Sequence, residues 1–111
     1  MAAHYRRQGY DVLAANWRCP SGELDLVVRA PGARAPVVFV EVKTRRTDRF
    51  GTPWEAVTAA KRRRLRRAAA AYLAERNRAG GDRAAALRFD VAAVRPDRRG
   101  VPDVEVIEDA F

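Results

Sequence analysis

The sequence predicts an α/β domain in which a central mixed sheet is flanked by helices, and three observations carry that prediction. Two strand-like runs, 22–28 and 37–43, are joined by a Pro/Gly loop. A stripe of apolar residues at helical spacing follows them, and two further alternating runs come after the stripe. The resulting order is helix, three strands, helix, two strands, with no internal repeat. Such an alternation suits a mixed sheet covered by helices.

Each element has a local reason. Residues 2–8 read as a short helix closed by Gly9, which adopts a left-handed helix end without a Cβ penalty. Tyr10 to Arg18 forms a mixed strand, and Cys19-Pro20-Ser21-Gly22 turns it into the second. There the period of two puts Leu24, Leu26 and Val28 on one face and Glu23, Asp25 and Val27 on the other. Pro31, Gly32 and Pro36 mark a hairpin-like reversal, so the second and third strands should pair antiparallel, the third ending near Thr44. Thr52-Pro53-Trp54-Glu55 combines a capping residue, a proline at the first helical position and a glutamate at the third. The helix begun there is expected to break near Thr58 and resume through Asn77, carried by Leu65, Ala68, Ala69, Tyr72 and Leu73. Gly80-Gly81 ends it. Leu87, Phe89, Val91 and Ala93 alternate with Arg88, Asp90, Ala92 and Val94 as a fourth strand, and Val104 to Ile107 makes a last short one.

At 111 residues the chain is expected to be one domain, 1–111, with a modest core. No run is long enough to cross a membrane and the start lacks a signal-peptide pattern, so the expected location is the cytoplasm, with no membrane partner. One cysteine, Cys19, excludes an internal disulfide framework, and with His4 as the single histidine no Cys/His zinc site can form. Both read as passive residues, as Asp90 reads as structural and Trp17 and Trp54 as core or rim anchors.

The chemistry concentrates in the third strand, Val37-Val38-Phe39-Val40-Glu41-Val42-Lys43. Glu41 and Lys43 interrupt an apolar run and share one face with Val37 and Phe39, which puts charge at the rim of a core, where an unpaired group costs several kcal/mol or more. Antiparallel pairing brings the face carrying Asp25 beside the face carrying Glu41. At about 4 Å and an effective dielectric near 20, two carboxylates repel by about 4 kcal/mol. A hard divalent cation such as Mg²⁺, or Mn²⁺ in its place, removes that repulsion and brings phosphate with it. Lys43 then serves as a point charge on an attacking hydroxide or a phosphate oxygen. A metal-free alternative stays open, in which Glu41 and Lys43 merely pair with each other.

Charge supplies the partner. The chain carries 22 basic residues, of which only Lys43 and Lys61 are lysines, and its net charge is +8. Residues 44–78 hold eleven basic and three acidic side chains, so the whole excess lies in that segment. Arg45, Arg46, Arg49, Lys61, Arg62, Arg63, Arg64, Arg66 and Arg67 follow directly on the Glu41/Lys43 strand, the footprint expected for nucleic acid. Lys61 shares helical spacing with Leu65, Ala68 and Tyr72. Its ammonium is therefore expected at the inward edge of the helix, near the carboxylates or a phosphate held by them.

Asp25 followed sixteen positions later by Glu41-Val42-Lys43 has the form of the PD-(D/E)XK nuclease signature. With Asn16-Trp17-Arg18, Gly22-Glu23-Leu24-Asp25-Leu26, Phe50-Gly51, Glu55-Ala56-Val57, Tyr72-Leu73, Arg88-Phe89-Asp90-Val91 and Ala110-Phe111, the chain resembles the YraN-like family of bacterial proteins over nearly its whole length. That resemblance implies a restriction-endonuclease-like core similar to archaeal Holliday junction resolvases. It further implies Asp25, Glu41 and the Val42 carbonyl as metal ligands, Lys43 assisting the nucleophilic water, Glu23 as an auxiliary carboxylate, and a homodimer. Together these readings give a metal-dependent endonuclease acting on DNA, branched or structured DNA included. The rival is an accessory protein that binds nucleic acid on the same fold. One departure stands out: relatives carry a glutamate early in the first helix, whereas no acid precedes Asp11 here. A truncated helix start, or initiation upstream, is the expectation drawn from it.

Overall fold

The third strand organises the molecule, because its apolar run is covered on both sides. In the computed structural model, which describes residues 1–44, 58–80, 86–96 and 102–111, this strand is β3, Val37–Thr44. It lies third in a five-stranded sheet ordered β1-β2-β3-β4-β5, with β1 Asp11–Cys19, β2 Gly22–Arg29, β4 Leu87–Pro96 and β5 Pro102–Ile107. β1, β2 and β3 pair antiparallel in succession, β3 and β4 run parallel, and β5 returns antiparallel on β4. The sheet is mixed, as expected, and consistent with a restriction-endonuclease-like core.

The helices cover opposite faces. α1, Ala2–Arg7, closes with both bonds of a Schellman motif, Gly9 N–H to the Arg6 carbonyl and Tyr10 N–H to the Tyr5 carbonyl, and Gly9 takes a φ of 88°. Its buried Tyr5 packs with Leu26, Val28, Val38, Val40 and Ala92. α2, Ala59–Arg78, sets Leu65, Ala68, Ala69 and Tyr72 against Leu24, Val27, Val37, Phe39 and Val91 on the other face. Trp17 joins this second cluster edge-on to Tyr72, at 5.4 Å between ring centres. Thr58 caps α2 by accepting from the Lys61 amide, so the expected break there marks the start of the described helix. The start signal at 52–55 with Trp54, and Phe50-Gly51, Glu55-Ala56-Val57 and Gly81, lie outside the described residues.

One expectation needs correcting. Leu24 does not share a face with Leu26 and Val28. It packs in the α2-side cluster while they pack on the α1 side. The switch falls between the pairs Ala15↔Leu26 and Trp17↔Leu24, where Asn16 adopts a left-handed φ of 51° and breaks the alternation. The side of β4 that carries Arg88 and Asp90 is covered, which agrees with the structural role expected of Asp90. Asp90 is fully buried and Arg88 half-buried beneath α1, while Leu87 at the strand's start is 48 % exposed.

Candidate active site

The β2–β3 ladder ends at the pair Leu26↔Val40. Beyond it the Asp25 carboxylate takes over from the backbone, accepting the Val42 amide at 2.9 Å. Asp25 lies opposite Asn16, whose φ of 51° departs from strand geometry, and its carboxylate enters the gap between β2 and β3, where it takes the place of a ladder hydrogen bond. Burial above all holds the Asp25 carboxyl above its ordinary range; the Val42 hydrogen bond opposes this, and the charges of Glu41 and Glu23 add to it.

Glu41 stands on β3 at the rim of the α2-side core and is 7 % exposed. One of its oxygens, Oε1, receives both lysines of the chain, Lys61 Nζ at 2.6 Å and Lys43 Nζ at 3.3 Å. Burial, then the neighbouring Lys61, depress the Lys43 pKa below its ordinary value, with the Glu41 charge opposing. For Lys61 burial also works downward, but its contacts with Glu41, with Lys43 and with the charge of Asp25 outweigh it and raise the pKa. The inward placement expected of Lys61 from helical spacing is what the structure shows.

These groups open into a groove of about 340 Å³ lined by Gly22, Glu23, Asp25, Glu41, Lys61, Arg64 and Leu65. Glu23 stands at its edge, exposed, with Arg18 Nε at 3.6 Å. Arg63, Arg66 and Arg67 are exposed along the same helix, and Arg62 lies over the Phe111 ring at 5.8 Å. Arg45, Arg46 and Arg49 lie outside the described residues. Arg64, one member of the basic run in the sequence, stands one turn beyond Lys61 and so lines the same groove. The left-handed backbone at Asn16, opposite Asp25, has one signal in the sequence, an asparagine, which tolerates such a φ. Among the described residues no three His, Cys, Asp or Glu side chains come together as a metal cage.

The chain is 52 % identical over 101 residues to a UPF0102 protein of Mycobacterium sp. (strain KMS), covering 91 % of this chain and 71 % of the relative. It is 50 % identical over 111 residues to a UPF0102 protein of Moorella thermoacetica, covering 99 % of this chain and 87 % of that one. A relative from Symbiobacterium thermophilum is 48 % identical over 103 residues, 93 % of this chain and 81 % of its own length. The profile of the uncharacterised protein family UPF0102 matches residues 1–94, which contain every residue of the groove. The chain belongs to that bacterial family.

Proposed function

We propose that this protein is a metal-dependent phosphodiesterase that hydrolyses the backbone of DNA, branched or structured DNA included, with water as nucleophile. The observation that carries the reading is the convergence of Asp25, Glu41 and Lys61 on one groove whose helical wall continues into exposed arginines. The donor chemistry fits Mg²⁺ or Mn²⁺: two hard carboxylates suffice for an ion that keeps several waters and shares substrate phosphate. Asp25 and Glu41 would hold it, with the Val42 carbonyl beside them, and the bound ion supplies Lewis-acid polarisation and a more acidic water.

The remaining roles belong to the chain itself. The Val42 amide fixes Asp25 by binding one of its oxygens. Lys43, whose burial makes its proton easier to lose, is suited to hold or release a proton beside the attacking water. Glu23 adds negative charge at the entrance. Arg64 meets a phosphate inside the groove, while Arg62, Arg63, Arg66 and Arg67 bind the flanking backbone, a role proposed from sequence for Arg45, Arg46 and Arg49 as well. No helix among the described residues is long and apolar enough to cross a membrane. The family resemblance leads us to propose further a homodimer working in the cytoplasm.

A second reading, an accessory protein that binds nucleic acid without cleaving it, is favoured by one fact. Glu41 already has two ammoniums on its carboxylate and needs no metal for charge balance. Cleavage of duplex, single-stranded and four-way-junction DNA, each with Mg²⁺ or Mn²⁺, separates the two. The nuclease reading expects metal-dependent strand scission abolished by Glu41→Gln. Salt-sensitive binding with no scission on any substrate favours the accessory reading.

A further inference from the structure

A divalent cation that binds a carboxylate already crowded by ammoniums competes with them for charge and space, and this restricts how the site can fill. Glu41 Oε1 carries two ammoniums that differ in their freedom to leave. Lys43 sits two residues along the same strand, is the more buried of the pair and does not line the groove. Lys61 belongs to another element, keeps 31 % of its side chain exposed and does line the groove. It also occupies the first turn of α2, which holds no acidic residue, so its charge faces the positive end of the helix dipole. Glu41 offsets that unfavourable placement. A compact ammonium on a flexible stem is the group suited to such exchange, in a segment otherwise built from arginine.

We infer that Lys61 is an exchangeable counter-ion, holding the cation position on Glu41 in the free protein and passing to a nucleic-acid phosphate when a divalent cation takes that position. This rests on the metal-dependent reading above and adds an order to it. Lys61 opposes the metal when no phosphate is present to receive it. Metal and nucleic acid therefore bind cooperatively, each improving the affinity of the other by the same factor. Free protein should bind metal weakly, and the site should assemble on its substrate.

The test is Mn²⁺ affinity, read from the paramagnetic resonance of the free ion, with and without a short phosphorothioate duplex. Lys61→Met should bind Mn²⁺ about tenfold more tightly than wild type without duplex, a change of about 1.4 kcal/mol. Lys61→Arg should stay close to wild type, because the charge remains. The duplex should tighten Mn²⁺ binding to wild type and do so far less for Lys61→Met. Circular dichroism verifies folding, and Lys61→Gln replaces Met if that variant does not fold. Mn²⁺ binding to Lys61→Met no tighter than to wild type, or no tightening of wild type by the duplex, overturns the exchange while leaving a metal site standing. No measurable Mn²⁺ binding to any of these proteins, with or without duplex, overturns both.

Discussion

Asp90 and Glu41 are both buried carboxylates on the adjacent parallel strands β4 and β3, yet their surroundings differ in kind. Asp90 is saturated: Arg88 reaches it through Nε and Nη2, each at 2.9 Å, while the Tyr5 hydroxyl donates at 3.3 Å and the Asp109 amide at 3.1 Å. Arg88 in turn donates to the Tyr10 hydroxyl at 2.8 Å. Burial and the Asp90 charge push the Tyr5 hydroxyl far above its ordinary range, and the hydrogen bonds to Asp90 secure the Arg88 charge. This network ties α1, the Tyr10 that precedes β1 and the segment after β5 to the sheet, and none of its members lines the groove at Glu41. The Glu41 cluster is the opposite: two cations crowd one oxygen, Asp25 is harder to ionise than usual, and both carboxylates face an opening. A fold gains from the first arrangement. The second leaves charges that can be re-paired, which is what a site for an ion and a phosphate requires.

The largest effect should come from opening the closed network. Asp90→Ala leaves the half-buried Arg88 without its bidentate partner, and the Tyr5 hydroxyl and Asp109 amide without their acceptor, so denaturant unfolding should show a loss of about 3 kcal/mol. A loss below about 1 kcal/mol would remove the structural half of the contrast. Next in size is binding. Each arginine–phosphate contact contributes about −0.9 to the slope of log K against log salt, so roughly six contacts give about −5. Neutralising the exposed Arg63, Arg66 and Arg67 together should flatten that slope by about 2 to 3, and an unchanged slope would detach α2 from the nucleic-acid surface.

Asp25→Asn should go the other way from Asp90→Ala. Asparagine still accepts the Val42 amide but carries no charge, so without metal at neutral pH the variant should melt at or a few degrees above wild type. The sign follows from linkage. Asp25 has a raised pKa in the folded state, so its ionisation costs stability, a cost absent below the ordinary carboxylate range and complete above the folded value. The difference between variant and wild type should therefore shrink as pH falls through that window. A variant that melts lower at neutral pH would make Asp25 structural, like Asp90. The smallest effect is Tyr10→Phe, which removes one acceptor of Arg88 at a cost of about 0.5–1.5 kcal/mol, measurable by the same unfolding experiment.

What was legible in the sequence follows the same division. Elements could be read because their causes are local: Gly9 closing α1, the Pro/Gly loop reversing β2 into β3, Thr58 and the stripe through Tyr72 defining α2. Period-two alternation put Glu41 at a core rim, and helical spacing turned Lys61 inward. The Asp90 network was hidden because its members, Tyr5, Tyr10, Arg88 and Asp90, are brought together by sheet order and not by spacing. Leu24 departs from the alternation of its own strand where the neighbouring strand carries a left-handed residue, Asn16, a feature that period-two reading of one strand does not contain.

Mg²⁺-dependent melting most directly tests the claim that the Glu41 cluster is a site and the Asp90 network is not. Magnesium at one hundred times its dissociation constant should stabilise wild type by about 2.7 kcal/mol, with millimolar Mn²⁺ as the stronger probe. Asp25→Asn and Glu41→Gln should barely respond, while Tyr10→Phe, whose change lies in the closed network, should respond as wild type does. No shift in wild type, together with lowered melting of both carboxylate variants, would contradict the account and make both clusters structural.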